Sequence, residues 1–137
     1  MAFIRKAGKT KTAYWPVTTS TAITKGAIVS LSSGLLIAAT SATTNLTHIG
    51  VIKKTIASTD SDYATARLVP VEVPVEKNVE WTADFTASLV AGDIGTEADL
   101  TDSLTVNRAA SAVDCAYIKD VISTTKGVVI LKLMGSY

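Results

Sequence analysis

The chain has 137 residues, 47% of them apolar, with 13 Lys and Arg against 12 Asp and Glu for a net charge of +1. That length and apolar content suffice for one domain whose hydrophobic core needs neither metal nor disulfide. So small a net charge gives no bulk electrostatic reason to bind nucleic acid or a membrane, and the longest apolar run, Leu35 to Ala39, is far too short to span a bilayer.

Residues 1–13 (MAFIRKAGKTKTA) lack helical or strand periodicity and are interrupted by Gly8. They read as a basic, extended N-terminal arm in front of a single β-rich domain over 14–137. The arm is either a frayed terminus or a segment that orders on a partner, with Phe3 and Ile4 as an apolar anchor beside Arg5, Lys6, Lys9 and Lys11. From Tyr14 onward Thr and Ser (32 in the chain) and Val and Ile (25) dominate, which favours pleated, half-buried strands over helices. Ile23 to Leu31 and Leu35 to Ala39 form an expected hairpin about the turn Ser32-Ser33-Gly34. A small polar connection over 40–47 follows, then a strand from His48 to Ala57 with Gly50 at a bulge or close approach.

After a loop at Thr59 to Tyr63, Arg67 to Val79 is the clearest strand. Val69, Val71, Val73 and Val75 alternate with Pro70, Glu72, Pro74 and Glu76. Prolines cannot donate to a ladder, so this strand belongs at an edge or in a partly unpaired stretch. Glu80 to Ala87 carries Trp81 and Phe85 as core anchors, Val90 to Asp93 is a turn, and Ile94 to Val106 mixes turn and strand. Tyr117 to Ile122 and Val128 to Met134 close the chain as a hairpin about residues 124–127. Helix is minor, at most a short piece within 96–102 or 107–113. The fold expected is therefore all-β, a small β-barrel or β-tulip-like domain. A faint echo at an offset of 66 residues pairs Gly26, Ile28, Ile52, Lys53 and Ile56 with Gly92, Ile94, Ile118, Lys119 and Ile122, and hints at two similar β-lobes.

The near-neutral total hides an asymmetry: no Asp or Glu precedes Asp60, while Arg5, Lys6, Lys9, Lys11, Lys25, Lys53 and Lys54 all do. Either folding interleaves the halves, or a basic patch or arm faces an acidic partner surface, a neighbouring copy of the chain included. The lone Cys115 allows no intrachain disulfide and sits among small and apolar residues, as a buried thiol does. Arg5 and Lys6 are followed by no apolar stretch, so no signal peptide is expected and folding in a cytoplasm is.

Catalytic and metal chemistry find little footing. The only histidine, His48, precedes Ile49-Gly50-Val51 on an apolar strand and reads as a strand-end or packing residue. No G-x-S-x-G elbow is present, and one Cys with one His cannot build a structural zinc site. Asp93, Glu97, Asp99 and Asp102 lack the spacing of a calcium loop. Glu72 and Glu76 read as solvent-side carboxylates. No phosphate-binding glycine loop occurs, so no cofactor is expected, and the chain reads as non-enzymatic. Lys9, Lys11, Tyr14 and Trp15 on a small barrel are the parts a single-strand nucleic-acid binder would use, and that reading remains as the less favoured alternative.

The run Ile23 to Ala39 (ITKGAIVSLSSGLLIAA), followed by Thr47 to Ile52 (THIGVI) and later Leu89 to Gly95 (LVAGDIG), resembles the small capsid decoration (cement) proteins of tailed bacteriophages. The resemblance covers about half the chain. It implies a compact β-barrel or β-tulip that binds the outside of an icosahedral shell, many as trimers that clamp neighbouring capsomers. The partners implied are the major capsid protein and further copies of the chain, on the virion surface after synthesis in the bacterial cytoplasm. The arm from Ala2 to Thr12 would then add to a capsid sheet edge, with Arg5, Lys6, Lys9 and Lys11 meeting acidic shell groups. A tail-tube, head-completion or fibre component would share this composition.

Overall fold

The computed structural model describes residues 3–41, 47–110 and 115–132. Parts of four expected segments fall outside them: residues 1–2 of the N-terminal arm, the connection at 40–47, the stretch at 107–113 and the end of the closing strand at 133–134. The described strands are β1 (Ile4–Ala7), β2 (Thr10–Pro16), β3 (Ile28–Ser32), β4 (Leu35–Ala38), β5 (His48–Ile52) and β6 (Leu68–Pro74). They continue with β7 (Glu80–Phe85), β8 (Glu97–Asp102), β9 (Thr105–Asn107), β10 (Ala116–Ser123) and β11 (Lys126–Leu131). The protein is all-β, as expected. The short helix foreseen at 96–102 is strand β8, because alternating Ala98 and Leu100 give it an apolar face. One 3₁₀ turn at Ala91–Asp93 takes the place of the turn expected there.

The strands form two five-stranded lobes of the same topology. In the first the order is β2-β6-β5-β3-β4, closed by a parallel bridge between Val17 and Leu36. In the second it is β7-β11-β10-β8-β9, closed by parallel pairing of Asp84 and Phe85 with Thr105 and Val106. Equivalent backbone hydrogen bonds align the two. Gly26 donates to Ile52 and Ile52 to Ala27, while Gly95 donates to Ile118 and Ile118 to Thr96. Val17 donates to Arg67 and Thr18 to Leu36, as Phe85 does to Thr125 and Thr86 to Val106. The echo seen in the sequence is thus a repeated lobe, and Ile52 and Lys53 do correspond to Ile118 and Lys119. Gly26, however, corresponds to Gly95, not Gly92; both have φ of +90°. Each lobe closes on itself, which shields sheet edges that would otherwise invite aggregation.

Each lobe has its own apolar cluster. Val17, Ile23, Val29, Leu36, Ile49, Ile52, Val69 and Val71 fill the first; Trp81, Ala83, Phe85, Leu100, Val106, Ile118 and Val129 fill the second. Phe3, Ile28 and Val51 join the second cluster and Leu104 packs on the first, so the lobes share an apolar seam, and Ile28 donates across it to Ser103 O at 2.8 Å. Gly50 is a close approach, as expected: a Cβ there would strike the carbonyl oxygen of Glu72. Strand β6 lies inside its sheet, not at the edge. It is paired with β2 throughout but with β5 only at Glu72 and Val71. Pro70 O accepts from Lys53 on that short side, so the missing proline donor faces the ladder that is ending.

The N-terminal segment is not a free arm in front of a domain. β1 pairs with β7 in the second lobe and β2 pairs along all of β6 in the first, so a boundary at residue 13 would cut a strand. The chain enters one lobe, crosses to the other and returns. Sequence alone hid this because β1 is only four residues long, all of them exposed.

Candidate binding surfaces

The residues expected to bind a partner through the arm divide into two groups. Phe3 is buried, and its N–H bonds Gly26 O at 2.9 Å. Arg5 donates from Nε to Glu72 Oε2 at 2.7 Å and from Nη1 to Gly8 O. Thr10 Oγ1 donates to the same Glu72 oxygen, and the Lys9 N–H to Glu76 Oε1 at 2.8 Å. Glu72 and Glu76, read from sequence as solvent-side acids, therefore hold the N-terminal segment on its own fold. Ile4 is 58% exposed, and the side chains of Lys6, Lys9 and Lys11 make no ion pair among the described residues. The side chains of these four are free of such contacts, whereas Phe3 is buried and Arg5, 44% exposed, is held on Glu72.

A larger feature escaped the sequence reading. On the outer face of the first lobe Tyr14 lies opposite Pro70 and Pro16 opposite Leu68, with Tyr14 63% and Leu68 66% exposed. Lys53 stands beside them, its Nζ 3.4 Å from Thr12 Oγ1. The positions equivalent to Pro16 and Leu68 in the second lobe are Asp84 and Lys126, which face each other at 3.7 Å as an ion pair. The same framework site is thus solvated in one lobe and apolar in the other. The alternation of Leu68 with Val69 was the only signal in the sequence, and it does not say which residues of β2 lie opposite.

The groups considered for chemistry are dispersed. His48 is buried, with no hydrogen-bond partner for either ring nitrogen, and loss of solvation lowers its pKa to about 4. Its register partner Ser30 is buried with an unpartnered hydroxyl. In the second lobe Asp99 and Cys115 are buried, and the Cys115 Sγ lies 3.6 Å from Ala98 O. His48 lies in the first lobe and Cys115 in the core of the second, so the two do not form one site. The four acids of the 93–102 region also part company. Asp93 accepts from the Val90 N–H, Glu97 pairs with Lys132 at 2.9 Å, and Asp102 accepts from Leu104 and Thr105. Among the described residues no group of three metal-ligating side chains converges. Tyr14 and Trp15, adjacent in sequence, point to opposite faces of β2, with Trp15 packed on the first core.

Charge is segregated as well. Residues 1–75, which build β1 and the first lobe, carry eight cations against three acids; residues 76–137 carry five against nine. Of those eight cations Arg5 pairs with Glu72 and Arg67 with Asp60 and Asp62, all within the same half, so the described ion pairs do not mix the halves. No helix among the described residues is long and apolar enough to cross a membrane. No protein-family model matches the chain, and a search of curated proteins finds no match either.

Proposed function

We propose that this chain is a non-enzymatic structural protein of a tailed-phage virion, a decoration protein that binds the outer surface of the capsid and stabilises the shell, as a homotrimer. The observation that carries the reading is the outer face of the first lobe. Tyr14, Pro16, Leu68 and Pro70 form an exposed apolar patch beside Lys53, at a site where the second lobe has an ion pair. Exposed aromatic and aliphatic side chains grouped on a rigid sheet suit a protein contact. Lys53 stands beside the patch, and Lys6, Lys9 and Lys11, which make no ion pair among the described residues, add cations on the N-terminal segment for acidic groups on the major capsid protein. The resemblance of residues 23–39 and 47–52 to decoration proteins points the same way. Weak contacts repeated over a symmetric shell reinforce one another, so one copy need not bind tightly.

The test is the number of copies per purified virion, by quantitative mass spectrometry against the major capsid protein. A ratio near one per capsid subunit is expected. A handful of copies would indicate a tail or head-completion component, and none would return attention to nucleic-acid binding. Leu68→Ser with Tyr14→Ser is expected to leave the thermal transition in place while abolishing attachment to shells.

A further inference from the structure

The repeated lobes carry the same outer corner, and among the described residues only one of the two is filled by the chain itself. In the first lobe the corner is formed by Val51, Lys53 and Glu72. Phe3 to Arg5 lies across it, leaving a pocket of about 270 Å³. Phe3 bonds Gly26 O, and Arg5 reaches Glu72 beside Thr10. The corresponding residues of the second lobe are Tyr117, Lys119 and Ile130, with Asn78 and Glu80 in the places of Thr10 and Thr12. These line an open groove of about 490 Å³, together with Lys77, Glu97 and Lys132.

We propose that this second-lobe groove binds an extended segment of a partner protein, as the first lobe binds residues 3–5. The segment presents a bulky apolar side chain flanked by carboxylates. The exchange of Glu72 for Ile130 sets the first requirement. Where Arg5 meets a carboxylate in the first lobe, the occupant of the second meets Ile130 beside Tyr117, which is 36% exposed. The rim sets the second requirement. Glu97 is neutralised by Lys132 at 2.9 Å, while Lys77 and Lys119 make no ion pair among the described residues and outnumber the one remaining acid, Glu80. Such a segment docks by backbone bonds with side-chain pockets for selectivity. This inference goes beyond the capsid reading and holds whichever assembly contains the chain.

The test titrates the ¹⁵N-labelled full chain with acetyl-Glu-Glu-Phe-Glu-Glu-amide and, separately, acetyl-Lys-Lys-Phe-Lys-Lys-amide. The acidic peptide is expected to give saturable amide shifts at Tyr117, Lys119 and Ile130, and to bind at least tenfold more tightly than the basic one. Ile130→Glu, which copies the first lobe's floor, is expected to reverse that preference, and Tyr117→Ser to weaken both peptides with the spectrum otherwise unchanged. Stronger binding of the basic peptide to the natural chain, shifts centred on Lys25 and Lys53, or no saturable shift with either peptide would overturn the proposal. Each of these results is independent of the copy number on virions.

Discussion

The two lobes are one topology built twice with different side chains, and each is a control for the other. At equivalent positions of β2 and β7 the first lobe has Ala13 and Trp15, the second Trp81 and Ala83. The order of large and small is reversed. Trp81 is 1% exposed at the centre of its cluster, whereas Trp15 packs at the margin of the other with its indole N–H unpartnered. Barrel closure therefore does not need a particular residue at a particular place; it needs the volume filled once in each lobe. What differs is the outside, where at equivalent positions the second lobe has the Asp84–Lys126 pair and an open groove and the first an apolar face and a covered corner.

The largest effect is expected from deleting residues 1–12. The deletion takes β1 from the second sheet and the start of β2 from the first, so it should abolish the cooperative thermal transition followed by circular dichroism. A truncated chain that melts cooperatively at an unchanged temperature would show that the two lobes stand without the shared segment. Next is the tryptophan pair. Trp81→Ala should cost about 3–5 kcal/mol in urea denaturation, and Trp15→Ala, at a partly buried site on the margin of its cluster, no more than about 2 kcal/mol. Equal losses would contradict the centre-versus-margin distinction.

Burial of His48 gives the first lobe a pH-dependent term in stability. The folded-state pKa of His48, about 4, lies below its unfolded value of 6.5, so below pH 6.5 the unfolded chain binds the proton first. The stability associated with neutral His48 is complete above pH 6.5 and declines as pH falls toward 4. The loss at pH 5 is about 2 kcal/mol relative to pH 7. His48→Cys should therefore flatten stability between pH 7 and pH 5, measured by urea denaturation at each pH; an unchanged slope would assign the acid sensitivity to other groups. The smallest effect is expected at the outer ion pair. Lys126→Ala should change stability by less than about 1 kcal/mol, because a partly exposed pair at 3.7 Å is well screened.

Some of this was legible along the chain and some was not, for identifiable reasons. The alternation of Val69, Val71, Val73 and Val75 marked β6, and the Ser33-Gly34 turn placed the β3–β4 hairpin, because both are period-2 or two-residue signals. Trp81 and Phe85 declared themselves as core by size. The repeat was only glimpsed, because the equivalent strands do not keep one spacing. The offset is 69 residues at Gly26 and Gly95, 66 at Ile52 and Ile118, and 58 at Leu68 and Lys126. The residues between β5 and β6 shrink to the two-residue turn between β10 and β11. Short, independently drifting matches of this kind do not sum to a visible sequence repeat.

The composition and periodicity of the sequence determined by themselves that the chain is all-β, that His48 and Cys115 are packing residues, and that its cations and acids are unequally distributed. Those properties depend on neighbours within a few residues. Only the tertiary structure decided that the N-terminal residues are shared between two lobes, that Glu72 is the acid that receives Arg5, and that Tyr14, Pro16, Leu68 and Pro70 form one face. Each of these joins residues more than fifty positions apart, through strand registers that a closed barrel sets collectively and no local stretch of sequence encodes.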